Sequence, residues 1–314
     1  MYFTKQLRIL SIFLSIIVFN INLLNALENK ILFKVNNQII TTIDIYEEIR
    51  FLKTFNPEMN NLSEPELFEI SKNSILRDKI KKIELMNFVE TLKVENKFIF
   101  NLIKNRYSKM NINSFKDFEN YLKDNNFNID HIKEKFTIEL IWNDFIYQKF
   151  NKKVVIDEDK IREEILKNPQ KENQRELLIS EIIFDVESKI DFNDKYGKIL
   201  LDIEKLGFKK TAIIHSNSDT ASNGGLIGWV KEDNLNKTIK KSISQLQPGQ
   251  FSKPIRISSG FIILKIDDKR EYVSNLNLED KVNEIIRFQT SDQLDQFSSM
   301  YFNKIKKNLK IYGL

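Results

Sequence analysis

Residues 208–230 read FKKTAIIHSNSDTASNGGLIGWV, and residues 246–268 read LQPGQFSKPIRISSGFIILKIDD. Five of the eight glycines in the chain, Gly224, Gly225, Gly228, Gly249 and Gly260, fall here, and none precedes Gly197. A chain this sparing with glycine keeps it where φ must be positive or where backbone comes too close for a Cβ. Gly224-Gly225 and Gly228 therefore mark a turn region, and Pro248-Gly249 marks another. Between them Lys237–Leu246 has Ile239, Ile243 and Leu246 on one helical face. Phe251–Ile257 and Phe261–Asp267 are β-branched runs that predict paired strands.

Upstream, Leu177–Phe184 (LLISEIIF) is an apolar strand interrupted by Glu181. An unpaired buried carboxylate there is costly, so Glu181 faces an open cleft, sits on an exposed edge or finds a partner such as serine or lysine. Asp191–Leu206 predicts a helix stopped by Gly207, and Phe208–His215 predicts a second. Lys167–Gln174 (KNPQKENQ) is polar and reads as a linker.

The first part of the chain reads differently. ILFKV and QIITT flank Asn36-Asn37 as a strand pair. Thr41 with Asp44 starts a helix through IDIYEEIRFLKTF, and Ser63 before Pro65 starts another running from Glu66 to Lys93. Further helices are expected over Glu95–Lys109, after Ser114 with Asp117, over Ile129–Phe150 and after Asp157. Leu278–Ile311 predicts one more, with Ile285, Ile286, Phe302, Ile305 and Leu309 needing burial.

Composition narrows the function classes. The 314 residues allow about two domains, and 24 phenylalanines can fill ordinary cores. There is no cysteine, which excludes disulfides, thiol catalysis and cysteine-held zinc. Lys5 and Arg8 precede an apolar run, Ile9–Leu24, that ends at Leu24-Asn25-Ala26, the pattern of a secretory signal peptide over residues 1–26. The run is shorter than the roughly 20 residues of a membrane span. Losing Lys5 and Arg8 lowers the formal charge from +5 to +3, and no basic block or aromatic platform points to nucleic acid. No metal cluster, nucleotide loop or Ser/His/Asp triad stands out, and no cofactor is expected.

The glycine-rich stretch resembles the parvulin-type prolyl isomerases from about Leu177 to Asp268. It shares the GG-x-L-G-W-like turn (Gly224, Gly225, Gly228, Trp229), the L-x-x-G-x-x-S-x-P run ending at Pro254, and a strand opening on Ser259-Gly260-Phe261. VNNQIITTIDI and the segment from Phe115 to Phe150 are similar to the SurA-like periplasmic chaperones. The resemblance implies an α+β protein. A mainly helical N-terminal chaperone domain (27–167) is completed by a C-terminal helical segment (276–314), and a parvulin-like domain (176–270) has a small antiparallel sheet flanked by helices.

The same resemblance assigns positions. A peptide or proline pocket falls on Leu235, Asn236, Ile239 and Phe261, and a polar network on Glu181, Ser218, Ser259 and Ile262. Active members carry histidines at the positions held here by Glu181 and Ile262, and the chain's two histidines, His131 and His215, lie elsewhere. Trp229 and Phe261 are expected to fill the core. The resemblance implies a periplasmic folding factor for unfolded or extended polypeptides, outer-membrane proteins above all, with isomerase activity weak or lost. Two alternatives stay open: an active prolyl isomerase, or a membrane-anchored folding factor if residues 1–26 are retained.

Overall fold

A computed structural model describes residues 29–106, 110, 112–167, 174–186, 188–272 and 277–313. The expected signal peptide and most of the expected linker lie outside the described residues. Strands β1 (Ile31–Val35) and β2 (Gln38–Thr41) pair antiparallel across Asn36, whose φ of 50° is a left-handed conformation that asparagine tolerates. Helix α1 (Thr42–Phe55) opens on a capping box: the Thr41 backbone N–H donates to Asp44 Oδ2 at 2.7 Å, and the Thr41 hydroxyl accepts from the Asp44 N–H. Helix α2 (Glu64–Leu85) repeats the device, with Ser63 N donating to Glu66 at 2.7 Å.

Helix α2 stops at Leu85, short of the expected Lys93. Asn87, Val89 and Thr91 are weak helix formers, and the chain tightens there through Asn87 N to Glu84 O and Phe88 N to Leu85 O. Phe88 therefore leaves the helix's apolar face and stands 57% exposed. Helices α3 (Asn96–Arg106), α4 (Phe115–Asp124), α5 (Ile129–Phe150) and α6 (Glu158–Lys167) follow. Ser114 and Asn128 cap α4 and α5 with side-chain oxygens.

Two apolar cores hold these helices. In the first, Phe51 and Phe55 of α1 lie 4.7 Å apart and meet Phe118 and Phe136 from α4 and α5. The second gathers Val35, Ile40, Ile80, Ile138 and Trp142 around Phe302 and Ile305. Those last two belong to helix α10 (Leu278–Asn308), whose second half packs among α2 and α5. Trp142 is fully buried, and its Nε1 donates to Ser298 Oγ of α10 at 2.8 Å.

The C-terminal helix also ends earlier than its periodicity predicts. Leu309 caps it, and Ile311–Gly313 becomes strand β7, antiparallel to β1 in a sheet ordered β2-β1-β7. The open side of β1 supplies the cause, since its backbone groups find partners only if another strand arrives. Asn36 adds two bonds, donating to Lys310 O at 2.9 Å and accepting from Lys310 N at 3.2 Å.

A second sheet is ordered β4-β3-β6-β5, from β3 (Gln174–Phe184), β4 (Leu226–Lys231), β5 (Ile255–Ile257) and β6 (Gly260–Tyr272). Strand alternation puts Ile182, Phe184 and Ile263 under helices α7 (Lys189–Leu206) and α8 (Phe208–His215). The opposite face carries Ile179, Ile183, Ile262 and Leu264 under helix α9 (Lys237–Ile243). The expected strand 251–257 shrinks to its last three residues, because Pro254 has no N–H to give the ladder. Phe251 keeps a single bridge to Lys265.

Two glycines answer to close approach. Gly225, at φ 78°, accepts from Glu181 N at 2.8 Å, and a Cβ there would run into the Glu181 carbonyl oxygen. Gly260 likewise abuts the Phe184 carbonyl. Trp229 departs from its expected core role. It lies on an edge strand, 36% exposed, with the Arg270 guanidinium 4.1 Å above its ring.

The sheet unit is packed on the helices and not merely tethered to them. Ile213 and Ile214 of α8 join the first helical core. The Trp142–Ser298 bond gives a direct test of the tie between α5 and α10. Trp142→Phe keeps an aromatic ring in place but leaves the buried Ser298 hydroxyl without its donor, at a cost of about 1–3 kcal/mol. Urea unfolding should show a lower midpoint with an unchanged slope; an unchanged midpoint would mean the bond contributes nothing.

Candidate functional site

A cavity of about 200 Å³ lies on the α9 face of the second sheet. Leu235 and Ile239 form one wall, and Ile179, Ile262 and Leu264 form the floor. Asn236 lines it too while capping α9, its Oδ1 accepting from Ile239 N at 3.0 Å. Phe261, expected in the pocket and also in the core, does not line this cavity and takes the core role. It projects from the other face of β6 and stacks on Phe184 at 5.8 Å and on Phe192 at 4.7 Å. One step along a strand reverses the face, so Phe261 cannot share a wall with Ile262.

Glu181 is the one ionisable group in the floor. It sits on central strand β3, only 8% exposed, which removes the edge-strand alternative. Its Oε1 accepts from Ser218 Oγ at 2.5 Å and from Thr220 Oγ1 at 2.9 Å. Burial raises its carboxyl above the usual range, the two hydroxyls pull it partly back, and Asp292 and Asp219 nearby push it up further. Asp292, on α10, also lines the cavity, and burial raises it as well. Asp295 lies further along α10; burial raises its carboxyl, Asp219, Glu181 and Asp292 add to the rise, and the Lys81 charge opposes it.

The expected network is therefore only partly assembled. Glu181 and Ser218 meet. Ser259 is buried, but its hydroxyl has no hydrogen-bond partner among the described residues. Ile262 is an apolar floor residue at 8% exposure. The histidines lie elsewhere: His131 on α5, and His215 at the end of α8 with Nε2 2.6 Å from Asp202. Among the described residues no cluster of acidic and histidine side chains could hold a metal ion. The pocket can grip an apolar side chain and is lined by two carboxyls, Glu181 and Asp292, with no histidine beside them among the described residues.

Four residues that position this site escaped sequence reasoning. Arg77 and Lys81, one turn apart on α2, clamp the loop that carries Ser218. Arg77 donates to Ser218 O at 2.8 Å and to Ser216 O at 3.1 Å, and Lys81 pairs with Asp219 at 2.7 Å. Lys81 is only 5% exposed, and the spacing of two cations beside apolar Ile75 and Ile80 was the available signal. Glu284 and Phe288 of α10 complete the set. Nothing local in the sequence marks them, because their partners come from another part of the chain.

A pH dependence follows from Glu181. A carboxyl whose native pKa is raised binds its proton more tightly folded than unfolded. Its contribution to stability is full below the unfolded value of about 4.3 and is lost as pH rises through the native value. Glu181→Gln keeps an oxygen for Ser218 and Thr220 but cannot ionise. Urea unfolding should find this variant as stable as wild type near pH 4 and more stable at pH 8; equal stability at pH 8 would show that Glu181 ionises there at no cost.

Several known proteins are similar to parts of this chain. Residues 181–268 match the family model described as Rotamase, PPIC-type PPIASE domain. The Chaperone SurA of Pseudomonas putida is 41% identical over 76 residues, covering 24% of this chain and 18% of that protein. The Chaperone SurA of Hahella chejuensis is 26% identical over 188 residues, covering 57% of this chain and 43% of its own length. A solved structure of SurA-like chaperones from Campylobacter jejuni aligns at 18% identity over 91% of this chain and 99% of that one, with a TM-score of 0.34. Residues 181–268, set here among helices, are thus similar to the parvulin-type domain. Over part of its length the chain is similar to SurA chaperones, and it spans less than half the length of these two curated relatives.

Proposed function

We propose that this chain is a periplasmic folding factor that binds unfolded or extended polypeptides, outer-membrane proteins among them, with prolyl isomerisation weak or lost. The signal-like segment 1–26 would export it. Residues 27–167 with 276–314 would form the client-binding unit, and 176–270 the parvulin unit. Among the described residues no helix is long and apolar enough to cross a membrane.

The observation that carries the reading is the floor of the pocket. Prolyl rotation requires a barrier of about 18–20 kcal/mol to be lowered by groups that favour the twisted imide. Here Ile262 presents hydrocarbon, and Glu181 is committed to Ser218 and Thr220. A positioned polar catalyst contributes on the order of 100-fold or more, so activity should fall at least that far below a two-histidine parvulin. One preparation, assayed for proline isomerisation and for suppression of aggregation of an unfolded β-barrel protein, tests both halves. Isomerase activity within about tenfold of a two-histidine parvulin would overturn the first half. Failure to suppress aggregation would overturn the second.

A client surface is available on the helical unit. Phe88 and Tyr147 are more than half exposed, and Phe88 lies 4.9 Å from Phe145. Aromatic rings left in water beside other apolar groups favour the side chains of unfolded chains. Phe88→Ser with Tyr147→Ser should weaken client binding about tenfold, since losing an aromatic anchor costs on the order of 1–2 kcal/mol. The melting temperature should hardly move because both rings are exposed. Unchanged client affinity would place the binding surface elsewhere.

A further inference from the structure

Helix α10 belongs to two neighbourhoods. Its second half, with Ser298, Phe302 and Ile305, is part of the helical core. Its first half lies across the pocket of the sheet unit. Phe288 packs on the apolar cluster formed by Ile262, Leu264, Leu235 and Ile239, and both Phe288 and Asp292 line the cavity. One turn earlier, Glu284 receives Lys231 Nζ at 2.6 Å and Asn234 Nδ2 at 3.4 Å. Lys231 ends β4, and Asn234 directly precedes Leu235, so the polar contact fastens the same wall that Phe288 covers. Residues four apart share a helical face, so the two contacts act together.

We infer that α10 is a resident plug of the parvulin pocket, with Phe288 occupying the place a client side chain would take, so that a second chain enters only when this contact parts. This rests on reading the pocket as a client site. The contact is made to part. About 200 Å³ stays open beside the ring, which a core contact would have filled. Docking also brings Glu181 and Asp292 to line one cavity, and two carboxyls gathered in a confined space oppose closure. An apolar ring and an ion pair that a client can replace on the sheet side complete a reversible seal.

The absence of cysteine makes the test direct. In the full mature chain, Leu235→Cys introduces a unique thiol in the pocket wall, and its rate of alkylation by iodoacetamide reports access. Adding Phe288→Ala should speed labelling at least about tenfold, as a shift toward the open form requires, while Phe288→Leu should speed it less. A parallel thiol at Ile263→Cys, on the opposite buried face, should stay slow with or without Phe288→Ala. The plug is overturned if Leu235→Cys alone already reacts as fast as a free thiol, or if Phe288→Ala changes nothing. It is also overturned if the Ile263→Cys thiol accelerates in step, which would make Phe288 a strut of the fold. Because no client enters the measurement, the plug and the client reading can fail separately.

Discussion

Burial of the second half of α10 among α2 and α5 is the constraint on which the rest depends. A 31-residue helix with scattered apolar positions gains little stability alone, and most of what holds it is the packing of Phe302, Ile305 and Tyr301 around Trp142. Without that anchor β7 has no reason to reach β1, and the first half of α10 is not delivered to the sheet unit. Tyr301 shows how closely the two ends are fitted: its hydroxyl meets Glu84 at the end of α2, and its ring stands 4.8 Å from Lys149 Nζ.

The second attachment is polar. Arg77 and Lys81 hold a loop whose side chains in turn hold Glu181, so the state of the pocket floor is linked to a helix outside the sheet unit. Exposed ion pairs contribute little, but Lys81 is nearly dry, and a buried cation without its partner would be costly. The interface therefore favours staying closed on its α2 side. On its α10 side, open space and acidic groups make closure less secure.

Local signals were legible to the residue. Thr41 with Asp44, Ser114 with Asp117, the span Ile129–Phe150 and the stop at Gly207 all follow from rules that act within a few positions. Spaced glycines marked the turn region around Gly224 and Gly225, and the structure adds that Gly225 lies against the Glu181 carbonyl. What could not be read depended on partners far away. The change from helix to strand after Asn308 is imposed by the open side of β1, and the exposure of Trp229 by its place on an edge strand. The pocket assignment of Phe261, unlike its core one, departs for a different reason: a family pattern names a position but not the face of the strand that carries it.

Strand β7 has a consequence for the order of events. In the sheet ordered β2-β1-β7, the centre strand is among the first described residues and its partner among the last. Ser298, Phe302 and Ile305 are late as well, so neither this sheet nor the second core can close until nearly the whole described chain is present. Contacts at such sequence separation carry a loop-closure cost and slow folding. The first core needs nothing beyond Ile214 and can gather earlier, so the two cores close at different stages of the chain's appearance.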